Sequence, residues 1–358
     1  MTIKEDILKR NVPSLFTSFG KTIKTKEDFE ALVPEIKDLL MREEYGVMPP
    51  KPDSFSVASV PGKYTNFAGK ADHKGFTLTA QVYGKEVSFY FTSVIPTKVE
   101  GKIPAFVNIA FNRAPNYRQP TEEIIDRGYA VFTLCYEDCT TDNGDFTNGV
   151  ASVLCPDRNA PDATGKIAMW SWCISRVIDY IYTLDNIDLD KIAVIGHSRL
   201  GKTTLLTAAF DERVKYACVN DSGTSGDALS RGTVGETVYD ITSRFPYWFC
   251  PNYFKYANNE DSLPFDQHYL LSLVAPRALL CGTAKEDQWA DPVSELLALT
   301  LTDEVYALYG MPGLVHPDTV PEAPFKLQNG SCSFHTRLGT HCLSREDWNT
   351  YMDFIDKN

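Results

Sequence analysis

The sequence contains no long apolar run and no excess of positive charge. None of its hydrophobic stretches approaches the roughly 18 residues that a membrane span needs. Its 35 lysines and arginines are outnumbered by 47 acidic residues, which gives a formal net charge of -12 at pH 7. Binding to nucleic acid or to an anionic membrane by bulk electrostatic attraction is therefore excluded.

The cysteines show neither a disulfide framework nor a metal-binding pattern. There are nine of them, an odd number, and several lie inside apolar runs where a thiol behaves as a small hydrophobic group. No CxxC or HxxxH spacing is present, and Cys135 with Cys139 has no further ligands nearby. We therefore expect free, buried thiols, no metal and no cofactor.

The amino-terminal segment also lacks a feature of exported proteins. Its first residues, MTIKEDILKRNVPSLF, alternate charged and hydrophobic side chains and contain no continuous apolar segment of the secretory type. Together with the free thiols, this predicts a cytoplasmic protein. A secreted protein whose signal has been trimmed is the alternative.

Short, almost entirely apolar runs alternate with helical patterns along most of the chain. The runs are KIPAFVNIAF, YAVFTLCY, KIAVIGHS, YACVND and RALLCGTA, as is typical of parallel strands covered on both faces. Apolar spacings of three and four predict helices at about 121–127, 166–184, 200–209, 263–274 and 292–300, and a last one at 348–355. This alternation predicts an α/β fold, a three-layer sandwich around a mostly parallel sheet.

The region before these runs has a different texture. FTLTAQVYG and EVSFYFTSVIP alternate polar and apolar residues, which predicts two antiparallel leading strands joined by a turn near Gly84. A helix over 26–46 precedes them. We expect one domain spanning 1–358, with residues 1–50 as a helical extension that packs on it.

The segment IAVIGHSRLGKTTL has the pattern of a nucleophile elbow, a tight turn from strand to helix that exposes a serine hydroxyl. Gly196 and Gly201 flank Ser198, with one residue more than the usual G-x-S-x-G spacing. The insertion puts Arg199 directly after the serine and Lys202 in the first helical turn. Because cations at a helix amino terminus oppose the macrodipole, this pair indicates an anionic ligand.

A serine nucleophile needs a histidine base, which in such a sheet lies on a loop after the last strand. Of the six histidines, His341 in RLGTHCLSREDW has the most suitable context, because a glycine precedes it and the helix-capping Ser344 follows. His335 is the alternative. We predict His341 as the base.

Two places are open for the carboxylate that orients the base. Asp221, in VKYACVNDSG, follows the strand after the elbow, whereas Glu286 and Asp287, in CGTAKEDQW, follow the next strand. No HGGG-type loop follows FVNIAF, so a usual backbone oxyanion donor is not evident. The guanidinium of Arg199 is the candidate for that role.

Several motifs in order carry a family resemblance over about residues 106–355. They are IGHSRLGK, NDSG, RGTVGETV, FPYWFC, LPFDQHYLL, EDQWADP and the late GTH. With these motifs the chain resembles the bacterial glucuronoyl esterases of carbohydrate esterase family 15. The resemblance implies an α/β-hydrolase fold and a serine esterase that needs no metal and cleaves esters between 4-O-methyl-glucuronic acid groups of xylan and lignin alcohols.

The resemblance also implies roles for the reacting groups. Ser198 matches the nucleophile, His341 the base and Arg199 the oxyanion donor. Members of the family carry the acid in one of two places, which Asp221 and Glu286 match. We favour Asp221 over Glu286.

The remaining matches concern the sugar. Lys202 matches a lysine that holds sugar hydroxyls, and Glu236 and Trp289 match residues that hydrogen-bond the uronate. We therefore expect an oligosaccharide or small-molecule ester as the substrate. An acetyl esterase acting on acetylated xylo-oligosaccharides, and a catalytically silent carbohydrate-binding relative, are the alternatives.

Overall fold

One ten-stranded sheet forms the middle layer of the protein, in the order β1-β2-β3-β5-β4-β6-β7-β8-β10-β9. The structure is a computed structural model that describes residues 1–358. The strands are β1 (Ser54–Val60), β2 (Ala71–Val82), β3 (Lys85–Pro96), β4 (Ile103–Ala110), β5 (Ala130–Cys135), β6 (Ile187–His197), β7 (Tyr216–Asn220), β8 (Ala278–Ala284), β9 (Phe325–Leu327) and β10 (Cys332–Arg337).

The central strands β5, β4, β6, β7, β8 and β10 pair in parallel, and the outer pairings are antiparallel. The five apolar runs form β4 to β8, and the two alternating segments form β2 and β3, which meet at Gly84 with a φ of +69°. The predicted α/β-hydrolase fold with antiparallel leading strands is confirmed.

Helices cover both faces of the sheet. They are α1 (Ile3–Lys9), α2 (Lys26–Leu40), α3 (Thr121–Asp126), α4 (Tyr136–Cys139), α5 (Ala151–Leu154), α6 (Lys166–Ile181), α7 (Arg199–Phe210), α8 (Val238–Arg244), α9 (His268–Ser272), α10 (Pro292–Thr300), α11 (Asp303–Leu308) and α12 (Arg345–Lys357). A helix with the length and apolar character required to cross a membrane is absent.

The two faces of the sheet bury separate apolar clusters. In β6, Ile192 and Val194 face the larger cluster, whereas Ala193 and Ile195 face a smaller one that includes Trp348 of α12. This alternation follows from the two-residue period of a strand. The larger cluster also takes side chains from α1, α2, α6, α7 and α10, so the segment 1–50 contributes to the same core as the sheet.

One predicted helix was too long, and one strand was missed. The helix expected at 263–274 is only His268–Ser272, because the guanidinium of Arg231 takes the carbonyls of Leu263 (2.6 Å) and Phe265 (2.8 Å) that a longer helix would use. Strand β10 was not predicted. It is fully buried, but its sequence is not a continuous apolar run because it contains His335 and Arg337. The side chains of both residues bond Asp347.

The elbow between β6 and α7 depends on close backbone approach. Ser198 has a φ of 59° and a ψ of −129°, a conformation that side-chain-bearing residues rarely adopt. A Cβ atom on Gly196 would lie 2.2 Å from the carbonyl oxygen of Leu200, and one on Gly201 would lie 2.9 Å from the Cβ of Ser222. Both positions therefore need glycine, and the longer Gly196-to-Gly201 spacing is part of the turn.

Gly196→Ala is expected to lower the free energy of unfolding by about 1 to 3 kcal/mol, because the new methyl group overlaps the Leu200 carbonyl. Denaturant unfolding measures this. The control is Gly144→Ala, where an added Cβ meets nothing within 4 Å, and its change is expected to stay within about 0.5 kcal/mol. Equal stabilities of the two variants would contradict the steric argument.

Candidate active site

A cavity of about 360 Å³ opens where β6, β7 and β8 end, beside the elbow. Seven of the predicted site residues line it, namely Ser198, Arg199, Lys202, Asp221, Glu236, Trp289 and His341. Asp287 lines it too, and Glu286 does not. Because parallel strands end at one edge of the sheet, loops that are distant in sequence meet at this cavity.

The base predicted from the sequence is held by a carboxylate that was not chosen. Nδ1 of His341 donates to Oδ2 of Asp287 at 2.5 Å. The preference for Asp221, with Glu286 as the second choice, is therefore wrong for this contact. Glu286 is exposed in the turn after β8, whereas the next side chain, Asp287, is buried toward His341.

The pKa of Asp287 is consistent with its hydrogen bond to His341. Burial alone would raise the pKa of Asp287, but the hydrogen bond and charge of His341 outweigh burial and hold the pKa below its ordinary value. The carboxylate is 5% exposed and the imidazole 44% exposed. The buried carboxylate thus bonds Nδ1 of the imidazole, and the second ring nitrogen, Nε2, takes no part in this contact. His341 itself lines the cavity.

Asp221 lies close by but is bonded elsewhere. Its Oδ1 accepts from the Thr283 hydroxyl (3.1 Å) and the Ala284 amide (2.8 Å), and its Oδ2 has no hydrogen-bond partner. Burial, together with the charge of Asp287, raises the pKa of Asp221 well above its ordinary value. Asp221 therefore makes no hydrogen bond to His341, whereas Asp287 does.

Asp221, Asp287 and His341 offer three ligand atoms within 4.8 Å of one another, the only such group that could be considered for a metal ion. Two observations favour a hydrogen-bonded histidine–aspartate pair over a cation site. The Nδ1–H of His341 is directed at Asp287, and the guanidinium of Arg337 lies 3.6 Å from Oδ2 of Asp221. Positive charge is therefore already present beside the free carboxyl oxygen.

His197, the residue before the nucleophile candidate, lies against one face of the His341 ring. Its buried ring packs on that of His341 with centroids 4.3 Å apart, and its Nδ1 lies 2.7 Å from Oδ1 of Asn220. Burial, followed by the proximity of His341, lowers the pKa of His197 to about 3. The ring therefore stays neutral and adds no repulsive charge under the base.

Arg199 is held by a carboxylate and by aromatic rings. Its Nη1 donates to Oδ2 of Asp142, and its guanidinium lies 4.6 Å from the ring centroid of Trp248 and 5.1 Å from that of Phe245. The Nε–H is buried without a partner. An ion pair and aromatic contacts thus orient the Arg199 cation at the cavity wall.

Asp142 is fixed by further contacts. Its Oδ1 accepts from the indole of Trp248 at 2.7 Å, and its Oδ2 from the hydroxyl of Tyr136 at 3.2 Å. Tyr247 donates to its backbone carbonyl at 3.0 Å. Asp142 was missed in the sequence because its loop has no periodicity.

Lys202 is buried within the cavity wall. Its Nζ donates to the carbonyls of Ser222 and Thr224, the latter at 2.5 Å, and lies 3.9 Å from Oε2 of Glu236. Burial lowers the pKa of Lys202 and raises that of Glu236. Lysine and glutamate therefore offer the cavity a polar pair with donor and acceptor positions.

Trp289 forms the exposed side of the cavity. Its ring is 44% exposed, and the guanidinium of Arg244 lies 4.7 Å from its centroid. The amide of Glu236 donates to the carbonyl of Trp289 at 2.9 Å, which fixes the two predicted sugar-binding residues next to each other. An aromatic surface beside hydrogen-bonding groups suits a sugar ring. Arg244 was not singled out from the sequence.

The fold and this arrangement define the class of the protein. A serine at a strained turn, a histidine whose second nitrogen bonds a buried aspartate and an adjacent cationic donor are the parts of a serine hydrolase on an α/β-hydrolase fold.

The sequence relatives narrow this class to one family. A family model described as glucuronyl esterase, fungi, matches residues 78–310, and the chain belongs to the glucuronoyl esterase family. A carbohydrate esterase from an unknown prokaryotic organism is 42% identical over 242 residues, which are 67% of this chain and 56% of that protein. The 4-O-methyl-glucuronoyl methylesterase of Schizophyllum commune is 29% identical over 316 residues, 84% of this chain and 74% of the relative.

Solved structures of similar proteins agree with this assignment. A promiscuous CE15 esterase from the marine bacterial metagenome superposes with a TM-score of 0.86 at 30% identity, over 96% of each chain. The glucuronoyl esterase from Solibacter usitatus has a TM-score of 0.87 at 27% identity, over 96% of this chain and 97% of that one. The family resemblance inferred from the sequence motifs is confirmed.

Asp287→Asn is expected to lower kcat of ester hydrolysis by about 10³- to 10⁴-fold, because the neutral amide no longer fixes the tautomer of His341 or stabilises its cation. Steady-state kinetics on any ester the protein cleaves measure the loss. Glu286→Gln is the matched control and is expected to retain kcat. Asp221→Asn is expected to cost less than Asp287→Asn, and the reverse order would contradict the assignment of the acid.

Asp142→Asn is expected to lower kcat by about 10- to 100-fold with little change in KM, because Arg199 loses the charge that orients it. Arg199→Met sets the upper limit, at about 10²- to 10³-fold. Asp138→Asn is the control, since Asp138 lies in the neighbouring helix α4 and pairs with Arg113 outside the cavity. Equal kinetics of Asp142→Asn and Asp138→Asn would contradict this orienting role.

Proposed function

We propose that the protein is a carboxylic ester hydrolase that cleaves glucuronoyl esters, such as those of 4-O-methyl-glucuronate in xylan and lignin fragments, through an acyl-enzyme. The observation that carries the proposal is one cavity in which Ser198 and His341 face Lys202, Glu236 and Trp289. The names of the relatives, carbohydrate esterase and 4-O-methyl-glucuronoyl methylesterase, support the same substrate class.

In the first half of the reaction, Nε2 of His341 takes the hydroxyl proton of Ser198 as its oxygen attacks the ester carbonyl. Asp287 stabilises the resulting imidazolium through Nδ1. The developing oxyanion receives hydrogen bonds from the guanidinium of Arg199, which lines the cavity together with Ser198. The imidazolium then gives its proton to the leaving alcohol, and the acyl group remains on Ser198.

In the second half, His341 takes a proton from water, which attacks the acyl-enzyme and releases the uronic acid. The product is a carboxylate anion, which the nearby cations of Arg199 and Lys202 suit. The exposed face of Trp289 and the hydrogen-bonding groups of Glu236 and Lys202 hold the sugar ring while the ester carbonyl faces Ser198.

The experiment compares the methyl ester of 4-O-methyl-glucuronate with acetylated xylo-oligosaccharides on one enzyme preparation. We expect a higher kcat/KM for the glucuronoyl ester, and Ser198→Ala is expected to remove nearly all of the activity. Trp289→Ala is the matched variant for recognition. It is expected to raise KM for the glucuronoyl ester and to leave the hydrolysis of p-nitrophenyl acetate unchanged, because the small acetate does not need a sugar contact.

A higher kcat/KM for the acetylated oligosaccharides would replace the proposal with an acetyl esterase. Full activity of Ser198→Ala on the glucuronoyl ester would exclude the acyl-enzyme mechanism. Labelling of wild type by a fluorophosphonate, and its loss in Ser198→Ala, separates an active hydrolase from a silent carbohydrate-binding relative.

A further inference from the structure

One buried cation, Arg337, is bonded to the loop that carries the base. Arg337 ends β10 and is 5% exposed. Its Nε donates to the carboxylate of Asp347 in α12, at 2.9 Å to Oδ2 and 3.2 Å to Oδ1. This pairing fixes the plane of the guanidinium and leaves the two terminal amino groups to other partners.

The terminal amino groups bond the backbone on both sides of His341. Nη1 donates to the carbonyl of Leu338 at 3.2 Å, and Nη2 donates to the carbonyls of Thr340, at 3.1 Å, and Cys342. Thr340 and Cys342 are the immediate neighbours of His341. The loop thus curves around the guanidinium, which donates hydrogen bonds to the residues immediately before and after His341.

The loop fits closely against this cation. Gly339 has a φ of +107°, and a Cβ atom there would lie 3.0 Å from Nη1 of Arg337. The same loop is bonded to the segment that carries the acid, because the amide of Glu286 donates to the carbonyl of Gly339 at 3.0 Å and that of Lys285 to the carbonyl of Arg337 at 2.9 Å. The loop that carries His341 and the segment that carries Asp287 are therefore joined by backbone hydrogen bonds next to the Arg337 side chain.

Arg337 also accounts for the position of Asp221. Oδ2 of Asp221, which has no hydrogen-bond partner, lies 3.6 Å from Nη2, while Oδ1 is held by Thr283 and Ala284 at the end of β8. The buried guanidinium thus lies between the carboxyl groups of Asp221 and Asp347. Removing it would leave both carboxyl groups without the nearby positive charge, and three loop carbonyls without their donor.

We propose that Arg337 is the positioning residue that fixes His341 between Ser198 and Asp287. The proposal rests on the proposed function in one respect, that His341 is the general base. Arginine suits this role because its planar fork directs several N–H groups at fixed angles, which lysine cannot reproduce. The other charged and titratable groups around His341 are Asp287 and, beneath its ring, His197.

The test uses Arg337→Met and Arg337→Lys in the full chain. We expect Arg337→Met to lower kcat by about 100-fold, because small misplacements of a base have effects of that size, with KM for the glucuronoyl ester changed little. The sugar contacts of Lys202, Glu236 and Trp289 do not involve Arg337. Arg337→Lys keeps the charge but not the fork, and is expected to fall between Arg337→Met and wild type.

Arg176 provides the matched control, because it is equally buried, at 3% exposed, and bonds Asp179 at 2.6 Å in α6, away from the cavity. Arg176→Met and Arg176→Lys are expected to retain kcat even where they lower the melting temperature. A loss of kcat in the Arg337 variants that the Arg176 variants do not share separates positioning from a general effect of a buried ion pair.

Rescue of Arg337→Ala by guanidinium ion is a readout that loss of stability would not produce. The truncation leaves space for a free guanidinium, which can restore the bonds to the loop carbonyls, so kcat is expected to rise with added guanidinium chloride and not with equal sodium chloride. Melting curves at each concentration establish that the protein is folded.

The rate of fluorophosphonate labelling keeps this test independent of the natural ester. In labelling, the Ser198 oxygen bonds phosphorus, fluoride leaves and His341 takes the hydroxyl proton, with no sugar contact required. If wild type labels but does not cleave glucuronoyl esters, the proposed function fails while the role of Arg337 is still tested by labelling. Wild-type labelling and kcat in folded Arg337→Met, or in Arg337→Lys should Arg337→Met not fold, would overturn the proposal.

Discussion

The parallel hydrogen bonding of β6, β7, β8 and β10 is the constraint on which the site depends. These four strands lie side by side and end at the same edge of the sheet, and neighbouring strands are about 4.8 Å apart. Ser198, Asp221, Asp287 and the loop to His341 follow those ends in the same order. The backbone therefore brings together groups that are up to 143 residues apart in sequence, from Ser198 to His341, before any side chain makes a contact.

Paired charges then fix the directions of the side chains. Arg199 is bonded to Asp142, Arg337 to Asp347, and His341 to Asp287. An isolated charge in such a partly dehydrated position would cost several kcal/mol of folding free energy. Each charged side chain therefore stays bonded to its partner, which restricts both to a few geometries. The side chains of the site are thus oriented by hydrogen-bonded ion pairs that do not include the reacting atoms.

The two aspartates near the base differ through their surroundings and not through their chemistry. Asp287 contacts His341 directly, and its pKa is held low despite burial. Asp221 is more deeply buried, faces Arg337 and has a raised pKa. Adjacent strand ends place both carboxyl groups within reach of the same loop, but only one forms the hydrogen bond. Glu286 is excluded because its side chain is exposed on the other side of the turn.

The sequence by itself determined the local structure and the nucleophile candidate. Buried parallel strands are continuous apolar runs, and the elbow needs glycine at Gly196 and Gly201, so short segments contain the whole signal. His341 could be selected because a glycine and a helix cap surround it. The family motifs added the residues expected at the sugar, Lys202 and Trp289.

Only the tertiary structure decided which acid holds the base and what orients Arg199. The bonds between His341 and Asp287 and between Arg199 and Asp142 join residues 54 and 57 positions apart, and both aspartates lie on irregular segments with no periodicity that predicts their direction. Arg337 was hidden for a related reason, since a buried polar strand looks like a loop until its partner Asp347 is known. Local patterns specify elements, but the contacts between loops follow from how the whole sheet is assembled.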